Sequence, residues 1–118
     1  MTVLETRTWT AVCRYDELQP ERGVAALVEG AQVAVFRTYD GTLHVLDNQD
    51  PYTGAFVLSR GIVGSRGTTA TVASPLHKQV FDLRTGACLD DQTITVAVHA
   101  VRTRDGVVEV LLEPQGTT

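Results

Sequence analysis

The sequence lacks the features that would mark a membrane protein, a nucleic-acid-binding protein or a secreted protein. No run approaches the roughly 20 apolar residues that span a bilayer. Ten basic side chains face fourteen acidic ones, with a formal net charge of -4, and phosphate binding needs a basic patch that is missing here. The first residues also lack the basic segment followed by an apolar one that forms a secretory signal. We therefore expect a cytoplasmic protein with no nucleic-acid partner and no membrane attachment.

Cysteine is scarce, and phosphate-binding glycine motifs are missing. The two cysteines, Cys13 and Cys88, form neither a CxxC motif nor another metal-ligand spacing, and both have apolar neighbours. We expect free thiols that are buried by packing rather than a disulfide or a redox pair. No GxGxxG or P-loop pattern occurs, so the chain offers no recognisable dinucleotide site.

Short β-rich runs separated by turn residues dominate what is present, and this spacing predicts an all-β sandwich or barrel. Pairs such as Asp-Gly tolerate the positive φ of tight hairpins, and they lie between several of the runs. The predicted strands are 8–13, 24–29, 32–38, 43–47, 69–73, 79–83, 96–102 and 107–112. We expect a single domain over residues 1–118, with its core over about 8–112 and a frayed tail at 114–118.

The segment 48–67 departs from this pattern. It holds Pro51 and four glycines, and it lacks sustained alternation of apolar and polar residues. We predict a loop or an irregular hairpin here. A loop of this length in a compact domain is usually functional or part of an interaction surface.

Two loops carry the most informative motif. The first is Asn48-Gln49-Asp50-Pro51, and the second, at residues 74–86, reads S-P-L-H-K-Q-V-F-D-L-R-T-G. The second loop resembles the Rieske box, whose usual form is C-P-x-H-G-x-x-F-D-x-x-T-G, and the first occupies the place of the C-x-H box. The residues that match the second motif as they stand are Pro75, His77, Phe81, Asp82, Thr85 and Gly86. The resemblance implies a Rieske-like β domain of antiparallel strands, with both loops at one tip.

The same resemblance places the four cluster-ligand positions on Asn48, Asp50, Ser74 and His77. A Rieske cluster needs two thiolates on one iron and two neutral imidazoles on the other. Three of the four ligands are therefore replaced, and neither an amide nor a hydroxyl supplies the soft anionic sulfur that the iron requires. Lys78 also stands where the family usually has a glycine. We expect vestigial ligand positions, and no metal or cofactor bound by this chain.

The resemblance extends beyond the two loops. Residues 51–73 place 23 positions between Asp50 and Ser74, more than is common in Rieske proteins. This stretch and the two loops are similar to the small subunit of bacterial assimilatory NAD(P)H-dependent nitrite reductase, over about residues 9–112. Such a likeness implies a non-catalytic accessory subunit without catalytic residues of its own. It also implies a large-subunit partner that carries FAD, a [4Fe-4S] cluster and siroheme and reduces nitrite to ammonia.

The tip formed by the two loops is the candidate docking surface for that partner. Its candidate contacts are Pro51, Tyr52, Leu76 and Lys78. Tyr52 is the strongest of these, because tyrosine is enriched in interface cores whereas an exposed lysine usually lies at the rim. The alternative is that Pro51 and Tyr52 only rigidify the loop. Two other functions also stay open: a Rieske-type ferredoxin that holds iron through nonstandard ligands, and a stand-alone module that binds a small molecule.

The remaining histidines and carboxylates give weaker signals. His44 and His99 fall within predicted strands, and we expect both to be half-buried. A carboxylate–imidazole metal site formed by Asp50, His77 and Asp82 is conceivable, because a mononuclear site needs about three such ligands. We favour a structural role for Asp82, which can accept backbone hydrogen bonds in the turn at Thr85-Gly86.

Overall fold

The computed structural model describes residues 8–76, 78–91 and 93–113, and antiparallel strands dominate it. Nine strands lie within these ranges, together with two short 3₁₀ helices, Tyr15–Glu17 and Leu58–Arg60. The strands are β1 (Thr10–Arg14), β2 (Arg22–Val28), β3 (Ala31–Arg37), β4 (Leu43–Asp47), β5 (Ile62–Arg66), β6 (Thr69–Ala73), β7 (Val80–Asp82), β8 (Val98–Arg104) and β9 (Val107–Leu111). The prediction of an all-β, Rieske-like fold is thus confirmed.

The strands form a six-stranded, nearly closed sheet and a smaller three-stranded sheet. The order is β1-β9-β8-β4-β3-β2 in the first and β5-β6-β7 in the second. Two of the hairpins turn at Glu29-Gly30 and Asp105-Gly106, where both residues of each pair have positive φ. This backbone matches the right-handed twist of the flanking strands, so these turns help to set the register of β2 on β3 and of β8 on β9.

Strand β3 divides the core into two parts, because its side chains alternate between the two faces of the large sheet. Val33 and Val35 pack inside the curved sheet, in a cluster with Val45 of β4. Ala34 and Phe36 point to the other face and pack in a second cluster beneath the small sheet. The second cluster also contains Leu46, Leu58, Val72, Phe81, Leu83, Cys88 and Val96. Burial on both faces explains why this strand is apolar throughout.

Part of the glycine-rich segment is a regular strand, so the prediction of a loop or an irregular hairpin over 48–67 was wrong for its second half. Strand β5 pairs with β6 over its full length, from Ile62 opposite Ala73 to Arg66 opposite Thr69. Gly61 precedes it for a packing reason, since a Cβ atom there would lie 2.5 Å from the Ala73 carbonyl oxygen. The glycine reflects close backbone approach rather than a turn.

Four other expectations are corrected or fall outside the described ranges. Strand β8 begins at Val98 and ends at Arg104, two residues later than predicted at both ends. Cys88 is buried as expected, whereas Cys13 is only partly buried, and both are free thiols. His77 and the predicted frayed tail at 114–118 lie outside the described residues.

Within the described ranges, no helix is long and apolar enough to cross a membrane.

Candidate functional site

Asn48, at the first of the predicted ligand positions, is a buried cross-link between three parts of the chain. It follows β4 directly, and only 1% of its surface is exposed. Its Nδ2 atom lies 3.2 Å from Gln32 Oε1 and 3.2 Å from the Phe56 carbonyl oxygen. Its Oδ1 atom accepts a 2.8 Å hydrogen bond from the Ser59 backbone N–H. The amide is thus bonded through both its donor and its acceptor.

Asp50 and Ser74, at the second and third of the predicted ligand positions, bond directly to each other. Both are almost fully buried, and the Ser74 hydroxyl donates to Asp50 Oδ2. The other carboxylate oxygen, Oδ1, accepts from the backbone N–H of Tyr52 at 2.8 Å and of Thr53 at 3.4 Å. A buried carboxylate is costly unless it is hydrogen-bonded, and these donors meet that need. Two loops that are far apart in sequence are therefore joined at the positions predicted to correspond to cluster ligands.

The loop that contains Ser74 is closed by its own backbone. The Ser74 N–H donates to the Gln79 carbonyl at 2.8 Å, and the Lys78 N–H donates to the Ser74 carbonyl at 3.0 Å. Lys78 has φ of +62°, in the left-handed region that favours glycine. The backbone therefore keeps the conformation for which glycine is suited, although the side chain has changed.

These residues do not fit a [2Fe-2S] cluster. Asn48, Asp50 and Ser74 offer only amide, carboxylate and hydroxyl groups, and each of these groups is engaged in hydrogen bonds within the protein. Rieske iron needs thiolate sulfur and neutral imidazole instead. The space between the loops is bridged by the Asp50–Ser74 contact, so we derive no redox step through this site.

Tyr52 connects the tip to the core beneath it. Its ring lies 6.5 Å from that of Phe81, measured between centroids. Its hydroxyl lies 3.5 Å from Cys88 Sγ and 3.4 Å from Asp91 Oδ2. The hydrogen bond with Cys88 is the main reason why the pKa of the Tyr52 hydroxyl is raised above its ordinary value. The group stays protonated and acts as a donor.

Several large apolar side chains are exposed at the tip. Tyr52, Phe56 and Leu76 are exposed to 38%, 50% and 50% respectively, and Pro51 and Lys78 are exposed as well. The Asp50–Ser74 link holds the loop of Tyr52 next to the loop of Leu76. The predicted docking candidates therefore lie on two adjoining loops. Large exposed apolar side chains on adjoining loops are candidates for an interaction site.

The other predicted polar residues have structural roles. Asp82 accepts backbone hydrogen bonds from Arg84 at 2.8 Å and Thr85 at 3.4 Å, which confirms the turn role. Among the described residues, no three His, Cys, Asp or Glu side chains come close enough to hold a metal ion.

The two strand histidines differ in burial. His44 is half-buried, as predicted, and burial lowers its pKa. His99, in β8, is more deeply buried than predicted, and both of its ring nitrogens have hydrogen-bond partners. Its Nε2 atom lies 2.7 Å from Asp47 Oδ1, and its Nδ1 atom accepts a 3.0 Å hydrogen bond from the Glu113 N–H.

Comparison with known proteins assigns the family. Residues 8–111 match the family described as the Rieske-like [2Fe-2S] domain. The NADH nitrite reductase small subunit of Escherichia coli K12 is 40% identical over 103 residues, which are 86% of this chain and 95% of that protein. The chain belongs to the family of nitrite reductase small subunits. A solved structure described as the NADH-dependent nitrite reductase small subunit from Mycobacterium tuberculosis is 46% identical to this chain. Its TM-score is 0.89, and the match covers 94% of this chain and all of the Mycobacterium tuberculosis chain.

One further relative of the small-subunit family is a much larger protein. The nitrite reductase [NAD(P)H] large subunit of Klebsiella oxytoca is 37% identical over 107 residues, which are 91% of this chain but only 11% of that protein. A domain similar to this small subunit therefore occurs there within the same polypeptide as the rest of a large subunit.

Two residues of the site, Gln32 and Phe56, were not singled out from the sequence. Gln32 carries no motif signal, and only the fold places it against Asn48. Phe56 had a usable signal, because an aromatic residue in a glycine-rich loop has few ways to become buried. It is half-exposed next to the predicted docking residues.

Proposed function

We propose that this chain is a non-catalytic accessory subunit of NADH-dependent nitrite reductase, which docks on a large subunit and supports its reduction of nitrite to ammonia. The observation that carries this proposal is the hydrogen-bonded state of the replaced ligands. Asp50 and Ser74 bond to each other instead of presenting groups that could hold iron. A family member without cluster ligands can act through association but not through Rieske electron transfer.

The electron-transfer chemistry belongs, in this proposal, to the large subunit. FAD, a [4Fe-4S] cluster and siroheme are assigned to that partner, and the complex is placed in the cytoplasm. The Klebsiella oxytoca relative supports the pairing, because a domain similar to this chain is there part of a large subunit. A covalent connection ensures equal numbers of both parts, so we expect one small subunit for each large subunit here.

The docking surface is the tip that contains Pro51, Tyr52, Leu76 and Lys78, extended by Phe56. Exposed aromatic and aliphatic side chains on loops held in place by buried hydrogen bonds suit an interface core. The hydrogen bonds of Tyr52 to Cys88 and Asp91 also support the view that it rigidifies the loop. The two roles are compatible, since a fixed aromatic loses little entropy on binding.

The first test is co-expression of this chain with the large reductase chain, followed by size-exclusion chromatography. NADH-dependent nitrite reduction is then measured with and without the small subunit. We expect a stable 1:1 complex with altered activity. Failure of the two chains to associate at micromolar concentration would overturn the proposal.

The second test places the interface. Tyr52→Ala should weaken association, whereas Tyr52→Phe retains the ring and should bind nearly as well. Tyr39→Ala is a matched control, because Tyr39 is 81% exposed and lies before β4, at the opposite end of that strand from Asn48. Equal binding of the Tyr52→Ala and Tyr39→Ala variants would contradict docking through the tip.

A further inference from the structure

Lys78 has a backbone conformation that is unfavourable for residues other than glycine. Its φ of +62° lies in the left-handed region, where a side chain with a Cβ atom is strained and glycine is not. Two backbone hydrogen bonds, from Lys78 to Ser74 and from Ser74 to Gln79, require the chain to reverse here. Glycine would meet this requirement without strain, so the backbone alone does not explain the lysine.

The side chain of Lys78 has no polar partner among the described residues. The residue is exposed, and within the described ranges its ammonium group forms neither a hydrogen bond nor an ion pair. Glu29 and Asp105, which also have positive φ, differ in that each forms a two-residue hairpin turn with a following glycine. Glu21 has the same φ of +62° without a following glycine, and its N–H donates to the Arg37 carbonyl at 2.6 Å. A positive φ is therefore shared with other exposed residues, and what distinguishes Lys78 is its place on the tip loops.

The surroundings of Lys78 indicate what it could bind. Among the described residues of the two tip loops, 48–57 and 74–79, it is the only exposed charged residue. Asp50 is buried and bonded to Ser74. The nearby Asp91 carboxylate accepts hydrogen bonds from Thr93, at 2.6 Å from its hydroxyl, and from Tyr52. One positive charge therefore stands on the same two loops as the exposed Tyr52, Phe56 and Leu76, although the whole chain has a net charge of -4.

We propose that the Lys78 ammonium pairs with a carboxylate of the large subunit, within the apolar contact made by Tyr52, Phe56 and Leu76. This inference rests on the proposed function. The partner surface would thus be an apolar depression with an Asp or Glu side chain at its edge. A single charge pair of this kind adds orientation and specificity to a contact whose area is mostly apolar.

The test compares binding with folding stability in the same variants. Lys78→Gly removes the charge and the strained side chain together, so its melting temperature should be equal to or above that of the wild type. Its affinity for the large subunit should nevertheless fall by about three- to fivefold at low salt. Lys78→Glu should bind more than about tenfold more weakly, because it places like charges together. Lys78→Arg should bind as the wild type does.

Salt dependence and a control variant complete the test. Raising the salt concentration should weaken wild-type binding but change the binding of Lys78→Gly much less. Arg104→Gln is the control, because this exposed residue ends β8 far from the tip, and its affinity should not change. Wild-type affinity of both Lys78→Gly and Lys78→Glu at every salt concentration would refute the inference alone. Absence of binding by the wild type would instead overturn the proposed function.

Discussion

Replacing Ser74 by alanine should loosen the tip without disturbing the sheets. Ser74 is the only donor that the described residues offer to Asp50 Oδ2, and both residues are buried. Without the hydroxyl, a buried carboxylate oxygen loses its hydrogen bond, which costs about 2 kcal/mol for a charged acceptor. A chain of 118 residues has an unfolding entropy of roughly 0.25 kcal/mol/K. We therefore expect the melting temperature to fall by about 8 °C.

Urea denaturation and amide hydrogen exchange together test this prediction. The midpoint in urea should decrease with an unchanged slope, because the surface exposed on unfolding stays the same. Exchange should accelerate most at the Tyr52 and Thr53 amides, which donate to the same carboxylate. It should change little in β8 and β9, because local openings are confined to cooperative units.

Ser65→Ala is the matched control for this substitution. Ser65 is exposed in β5, and its hydroxyl has no hydrogen bond in the described part of the chain, so its removal should change stability by less than about 0.5 kcal/mol. A double-mutant cycle of Asp50→Ala with Ser74→Ala should give a coupling energy of about 1–2 kcal/mol. If the Ser74→Ala and Ser65→Ala variants melt at the same temperature, the Asp50–Ser74 hydrogen bond does not stabilise the protein.

Three further predictions concern the core, the pH response and iron. Gly86→Ala should lower the free energy of unfolding by about 3 kcal/mol or more, because a Cβ atom would lie 1.9 Å from the Val96 carbonyl oxygen. Gly67 also has a positive φ but has open space around it, so Gly67→Ala should lower the free energy of unfolding by only about 1 kcal/mol. Urea denaturation of both variants measures the difference. Burial lowers the pKa of His44 in the folded protein. As the pH falls below about 6.5, His44 is therefore protonated in the unfolded chain before it is protonated in the folded one, and the folded state loses stability. The loss levels off below the folded-state pKa. Melts at neutral and mildly acidic pH should show a smaller loss for His44→Gln than for the wild type, and an equal loss would exclude His44 as the cause. Freshly purified protein should be colourless and contain far less than one iron and one acid-labile sulfide per chain, whereas stoichiometric amounts would favour a ferredoxin-type carrier.

The strand pattern was predictable where local rules decide it. Asp105-Gly106 and Glu29-Gly30 fold as hairpin turns because few other residue pairs adopt positive φ, and alternation along β3 follows from burial of both its faces. Strand β5 was missed because Gly64 within it looks, in a single sequence, like a glycine in a loop. What makes β5 a strand is its pairing with β6, a non-local interaction that composition does not reveal.

The candidate site was predictable in its positions but not in its bonding. The motif placed Asn48, Asp50 and Ser74 at one tip, and the structure joins Asp50 directly to Ser74. The contacts of Asn48 with Gln32 and of Tyr52 with Cys88 depend on how the two sheets stack. Such pairs arise only when the topology is known, because each residue alone looks like an ordinary polar or apolar side chain.

The bond between a carboxylate and a hydroxyl at the tip has a consequence for how the protein is made. Asp50 and Ser74 are supplied by translation itself, whereas a cluster must be assembled elsewhere and inserted. Under the proposed function, this subunit reaches its final shape without any iron–sulfur maturation step. Its abundance can then follow the demand for nitrogen even when iron is scarce, leaving the metal for the partner that needs it.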